Sequence, residues 1–258
     1  MQLTKQIVKV GNGAGVLVPR AWLDGKATVE LIEKPIDLQK DILEILEGYM
    51  PDILSIAIVG SYARNEQTPR SDIDVLVITH STSKQIKQGK YNLILISEKS
   101  LEKELQRNIL PWLPMLKEAK PVINAQLIER LSKTQITKKN LEPHIELTKS
   151  ALDLNEAHLS LDEENGKITS DAVAYSLVLR ARGAYIVDCL INKNKSTTKT
   201  IRSIIKNKSG SLKAYEGYIR VKDDKKTKKD LPIEEARKLL SYIKERIKEQ
   251  ELWAKRKN

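Results

Sequence analysis

The chain of 258 residues is long enough for two or three domains with cores of their own, and it carries a formal charge of +11 at pH 7. One cysteine, Cys189, excludes an internal disulfide, and the scattered His80, His144 and His158 exclude a histidine metal-site spacing. Lys5 and Lys9 break the first apolar run, and no uncharged apolar run reaches about 18 residues. This argues against a targeting leader and a membrane span, and the expected location is cytoplasmic.

Residues 1–35 read as a separate small unit. Gln6–Val10 alternates as a strand, GNGAG follows as a tight turn, and Val16–Val18 reads as a second strand. Arg20–Leu23 reads as a short helical turn, and Ala27–Ile32 as a third strand. The glycine cluster lacks the Lys-Ser/Thr of a phosphate-binding P-loop and opens no helix. So few residues cannot bury a core alone, so a second copy is expected to complete it. The stretch KVGNGAGVLVPRAWL resembles the AbrB/SpoVT-type swapped-hairpin domains. That resemblance implies a homodimer of interleaved hairpins and DNA as a partner, with Lys5, Lys9 and Arg20 as the DNA-facing cations.

Ile36–Met50 has the apolar period of an amphipathic helix, ended by Gly48 and Pro51. It leads into two short β-branched runs, Ile56–Val59 and Val75–Ile78, which read as buried strands. The first ends at Gly60-Ser61. The second opens with Ser71-Asp72-Ile73-Asp74, and side chains two apart on a strand share a face. Asp72 and Asp74 thus project together. Paired carboxylates call for a cation, and Mg²⁺ takes one or two carboxylates and completes its shell with phosphates. A glycine after a strand admits close backbone approach, and helix-start N–H groups with the Ser61 hydroxyl suit phosphate oxygens.

GSYARNEQTPRSDIDVLV resembles the motif of the DNA polymerase β-like minimal nucleotidyltransferases. The resemblance rests on Gly60, Ser61, Arg64, Ser71, Asp72 and Asp74, with Asn65 where the family often has glycine. It implies Mg²⁺ (or Mn²⁺) on Asp72 and Asp74, which are also the catalytic residues. It implies an NTP such as ATP held by Gly60, Ser61, Arg64 and Ser71. The family carries a third carboxylate on a later strand, here KYNLILI. Alignment from the strand start puts Asn92 there, and alignment from the following SEKSL puts Ile94 there. Neither can take a proton from an attacking hydroxyl.

The polar stretch His80–Gly89 reads as a connection. Ser100–Gln106 is helical, Pro111 and Pro114 interrupt, and Lys120–Ile123 reads as an edge strand because Pro121 lacks a donor. Asn124 caps a helix over Ala125–Leu131, and residues 133–139 read as a linker. Leu141–Leu159 and Asp171–Ile191 form an antiparallel helical pair. The helical half resembles HEPN domains, but neither Arg180 nor Arg182 is followed by a histidine at the HEPN nuclease spacing. Between Ile191 and Asn258 there are 21 Lys and Arg against 9 Asp and Glu, leaving 24 against 25 in the rest. The tail thus holds the positive excess, with interleaved Tyr215 and Tyr218 suited to nucleic acid or to a solvated surface. Ile233–Leu252 reads as the last helix.

The expected architecture is α+β: a small β swapped-hairpin unit (1–35), a nucleotidyltransferase core with a short mixed sheet (36–131), and a helical domain (140–258). The expected function is Mg²⁺-dependent transfer of an NMP to a hydroxyl on protein, RNA or a small molecule. The alternative is a DNA-binding regulator or antitoxin-like protein whose transferase domain only binds nucleotide. Abundant Lys and Glu without any Phe gives the composition an archaeal or thermophilic character.

Overall fold

A computed structural model describes residues 3–30 and 37–256. The chain divides into two compact units, Met1–Asp41 and Ile42–Asn258.

The first unit contains an antiparallel hairpin, β1 (Ile7–Val10) and β2 (Gly13–Val16), closed by Gly11-Asn12 with Gly11 at φ +56°. The turn is shorter than GNGAG, because Gly13 already pairs with Val10. Arg20–Trp22 forms a 3-10 turn as expected. The third expected strand is absent from residues 27–30, which are irregular and exposed; Leu31 and Ile32 lie outside the described residues. None of the described residues up to Glu30 is buried, and Val10, Leu17, Leu23 and Val29 are more than half exposed.

After α1 (Leu38–Ile45) the chain tightens into a 3-10 turn, Glu47–Asp52, that contains Pro51. The expected helix to Met50 thus ends early, since Gly48 and Pro51 disfavour a further α-turn. Ile36 lies outside the described residues. β3 (Ile53–Val59), α2 (Gly60–Arg64), β4 (Ile73–Thr79), β5 (Lys84–Gln88) and β6 (Tyr91–Ser97) follow. Then come α3 (Glu98–Arg107), α4 (Trp112–Glu118), β7 (Lys120–Ile123) and α5 (Ala125–Ser132).

The sheet order is β5-β6-β4-β3-β7, with β4 and β6 parallel and the other neighbours antiparallel. It is the expected mixed sheet, and β7 with Pro121 lies at its edge. β5 falls in the stretch read as a connection. Its Lys84 and Lys87 flank a single apolar Ile86, the composition of a charged edge strand.

The helical half comprises α6 (Lys138–Asn165), β8 (Ile168–Ser170), α7 (Asp171–Ile191), α8 (Thr198–Ser209), α9 (Lys213–Lys222), β9 (Lys229–Pro232) and α10 (Ile233–Lys255). β8 and β9 pair antiparallel, a ribbon too short for any sequence period to mark. The stretch read as a linker shrinks, because Thr137 caps α6 in a reciprocal box with Asn140. Sheet residues Val59, Leu76 and Ile78 share one continuous core with Leu141, Leu177 and Leu239 of the helices. At its edge the buried Asp171 accepts two bonds from Arg220 at 2.7 Å, and Gly217 leaves the room for that carboxylate.

Candidate active site

The site forms where β3 ends beside the start of β4, with Val59 opposite Asp74. Ser55–Val59 is buried, and the chain turns into α2 at Gly60, whose φ is +69°. A Cβ at Gly60 would lie 2.7 Å from Asp74 Oδ2. Only glycine fits, both for its left-handed backbone and for the carboxylate against it. Asn65, at φ +56°, ends α2 in the left-handed conformation that its residue type favours. Lys120 Nζ locks that end by donating to Asn65 Oδ1 at 2.5 Å and to the Tyr62 carbonyl at 3.0 Å.

Asp74 stands on β4 between Val59 of β3 and Asn92 of β6. Asn92 Nδ2 donates to Asp74 Oδ1 at 2.9 Å, and Gln85 Nε2 donates to Asn92 Oδ1 at 2.5 Å. The register settles which residue stands beside Asp74: Asn92 faces it, whereas Ile94 pairs with Leu76. Asp72 is exposed, one residue ahead of β4. No group of three or more His, Cys, Asp or Glu suited to a metal occurs among the described residues. Two carboxylates remain, a donor set that fits Mg²⁺ with phosphate oxygens completing its shell.

Arg64 does not stand free in the loop. Its Nη1 donates to Glu118 Oε2 at 2.7 Å and its Nε to Glu66 Oε2 at 2.9 Å. Burial works against the Arg64 charge, but the bonds to Glu66 and Glu118 outweigh it and hold its pKa above the ordinary value. Glu118 Oε1 accepts the Gly60 N–H at 2.8 Å. One carboxylate therefore fastens both ends of α2. Glu66 reaches the other way, accepting from Thr198 N at 2.9 Å and Thr198 Oγ1 at 2.8 Å at the start of α8. Burial would raise the Glu66 pKa, and the bonds from Arg64 and Thr198 overcome it. Glu66 lies in the polar loop of the Gly60–Asp74 stretch but is not one of the residues the resemblance rests on, and Glu118 and Thr198 lie outside it; nothing local in the sequence marks the three.

Ser61 is half-buried, and its hydroxyl has no hydrogen-bond partner among the described residues. Ser71 Oγ accepts the Thr68 N–H at 2.9 Å, closing the turn that delivers Asp72. Gly60, Ser61 and Asp74 are thus brought together, with Arg64 bracing the turn. Lys5, Lys9 and Arg20 are exposed and belong to the first unit. In the helical half, the Arg180 Nε is buried without a hydrogen-bond partner.

A family model described as "Nucleotidyltransferase domain" matches residues 39–154. This stretch is similar to that family over 116 of the 258 residues. It runs through the connection 133–137 into the first half of α6.

Two curated relatives from Methanocaldococcus jannaschii are similar to this chain. "Putative protein adenylyltransferase MJ0128" is 47% identical over 57 residues, 21% of this chain and 58% of its own length. "Putative protein adenylyltransferase MJ0126" is 58% identical over 40 residues, 16% of this chain and 39% of its own length. The chain thus spans about half the length of these relatives. Among solved structures, the spectinomycin adenyltransferase AAD(9) of Enterococcus faecialis, with ATP and spectinomycin, aligns at 12% identity with a TM-score of 0.41. That alignment covers 81% of this chain and 98% of that one. No helix among the described residues is long and apolar enough to cross a membrane.

Proposed function

We propose that this chain transfers a nucleoside monophosphate from an NTP to a hydroxyl acceptor. The observation that carries this reading is the contact of Gly60 with Asp74, which puts a glycine turn and a carboxylate at one point. The names of the two curated relatives favour ATP as the donor and AMP as the transferred group. Asp72 and Asp74 would hold Mg²⁺ or Mn²⁺, which supplies charge neutralisation and Lewis-acid polarisation of the phosphates when bound. The Ser61 hydroxyl donates to a phosphate oxygen. Glu118 and Arg64 keep α2 in place so that the loop need not reorganise on binding. The acceptor oxygen bonds to the α-phosphorus and pyrophosphate departs with the electron pair of the broken P–O bond. Asn92 orients Asp74 and takes no proton, so the hydroxyl proton passes to water.

The test is incubation of the protein with α-labelled ATP, Mg²⁺ or Mn²⁺ and candidate acceptors, beside the Asp72→Ala, Asp74→Ala double variant. Label transfer by the wild type alone supports the reading. Absence of both transfer and metal-dependent ATP binding by a folded protein overturns it.

A second reading is favoured by Asn92 at the third-carboxylate position and by the unburied first unit. In it the chain is a DNA-binding regulator whose transferase domain senses nucleotide. The exposed apolar residues of the β1–β2 unit support a homodimer that buries them, with Lys5, Lys9 and Arg20 toward DNA. Sedimentation of the full chain tests the dimer, since Val10→Asp should yield a monomer.

A further inference from the structure

Among the described residues five of the twelve arginines have a carboxylate partner: Arg64, Arg130, Arg220, Arg237 and Arg246. Of the seven without one, Arg182 on α7 and Arg202 on α8 are the two set against a tyrosine. Arg182 is half-buried, and its one hydrogen bond is a long 3.4 Å contact to the Tyr218 hydroxyl. A guanidinium withdrawn from water without an anion is costly, so such a site favours an anion from outside the chain.

The two arginines converge on one aromatic group. Tyr218 stacks on Tyr175 with ring centroids 5.4 Å apart, and Tyr215 lies 5.9 Å from Tyr218. The Arg202 guanidinium lies 5.8 Å from the Tyr215 ring centroid. This group adjoins the α2 loop. Thr198, which binds Glu66, lies one helical turn before Arg202 on the same face of α8. Tyr215 lies within electrostatic reach of Glu66 as well as of Arg182 and Arg202. The surrounding segment holds the positive excess of the whole chain.

We propose that Arg182 and Arg202 form an acceptor site for a single-stranded nucleic acid, binding its phosphodiester while its terminal hydroxyl enters the site beside Ser61 and Asp74. This rests on the reading of that site as the NTP site. Arginine paired with a half-exposed tyrosine suits a phosphate followed by a base better than it suits a neutral sugar. In the reaction the terminal hydroxyl oxygen bonds to the α-phosphorus of the NTP. The bond from that phosphorus to the bridging oxygen breaks, pyrophosphate leaves with the electron pair, and the hydroxyl proton goes to water. The strand grows by one nucleotide.

The experiment uses the full chain, short fluorescent single-stranded RNA and DNA, and an Arg182→Gln, Arg202→Gln double variant. Strand affinity is read by anisotropy over a salt series, and ATP binding by calorimetry on the same preparations. The expected result is a loss of strand affinity of roughly tenfold or more in the variant. The slope of log affinity against log salt should fall by about 0.7 per arginine. ATP binding should be unchanged, and an Arg→Lys pair should recover part of the strand affinity. A strand that binds as RNA only, or as DNA only, names the acceptor. Unchanged strand affinity with ATP binding intact overturns the acceptor site and leaves the nucleotide reading standing. Strand binding by a protein that does not bind ATP overturns both the acceptor role and the nucleotide reading. Preference for polyglutamate over either strand also overturns the proposal, in favour of an acidic protein segment.

Discussion

Gly60 donates its N–H to Glu118 Oε1 at 2.8 Å across 58 positions of sequence, and the other oxygen of that carboxylate holds Arg64. The first and last residues of α2 therefore share one anchor on the end of α4. Glu118→Ala leaves the Gly60 amide without its partner and Arg64 with only Glu66. We expect a loss of about 1–3 kcal/mol in stability, together with weaker ATP binding. Glu118→Gln keeps an acceptor for Gly60 but loses the ion pair, and should fall between the two. Denaturant unfolding and ATP calorimetry on the three proteins check the order.

Gly60→Ala tests the contact with Asp74. The new methyl would meet Asp74 Oδ2 at 2.7 Å on a backbone already at φ +69°. The left-handed conformation alone costs about 1–2 kcal/mol for alanine. The carboxylate must also swing away from its place beside Asn92. Metal-dependent ATP binding should be lost beyond what the drop in melting temperature explains, and calorimetry below that temperature measures it.

Asn92→Asp places a third carboxylate against Asp74. Without a cation the two like charges repel, so the variant should melt below the wild type and recover when Mg²⁺ or Mn²⁺ is added. With cation and acceptor present, transfer should rise by about tenfold or more, since a positioned base contributes roughly 10²–10⁴ in rate. No change in either melting or transfer would show that Asn92 has no part in the site.

His144 predicts a pH dependence of stability. Burial is the main cause that pushes its pKa down from 6.5 to about 4, and the Arg180 charge adds to it; its Nε2 is buried with no hydrogen-bond partner among the described residues. The unfolded chain therefore binds a proton at a higher pH than the folded one. The stability contribution is fully present above pH 6.5 and is lost as pH falls towards 4. The loss over that window is about 3 kcal/mol. His144→Leu should flatten the decline, which thermal melts between those limits would measure.

The sequence by itself determined the parts that depend on near neighbours along the chain. The β-branched runs of β3 and β4 are period-independent buried strands. Pro121 could stand only at an edge, and Asn124 caps α5 by accepting the Leu127 N–H. Gly60 and Asp74 were legible because their residue types are demanded by backbone angle and charge. The polar β5 leaves no strand signal in the sequence, because it buries little and shows no apolar alternation. Only the tertiary structure decided the rest. The parallel register of β4 with β6 chose Asn92 over Ile94 as the neighbour of Asp74. The bond from Thr198 to Glu66 spans 132 positions, and the clamp on Gly60 spans 58. A side chain that meets its partner only after the sheet and helices pack leaves no period or spacing in the sequence, because its role is set by where the backbone returns and not by its neighbours in the chain.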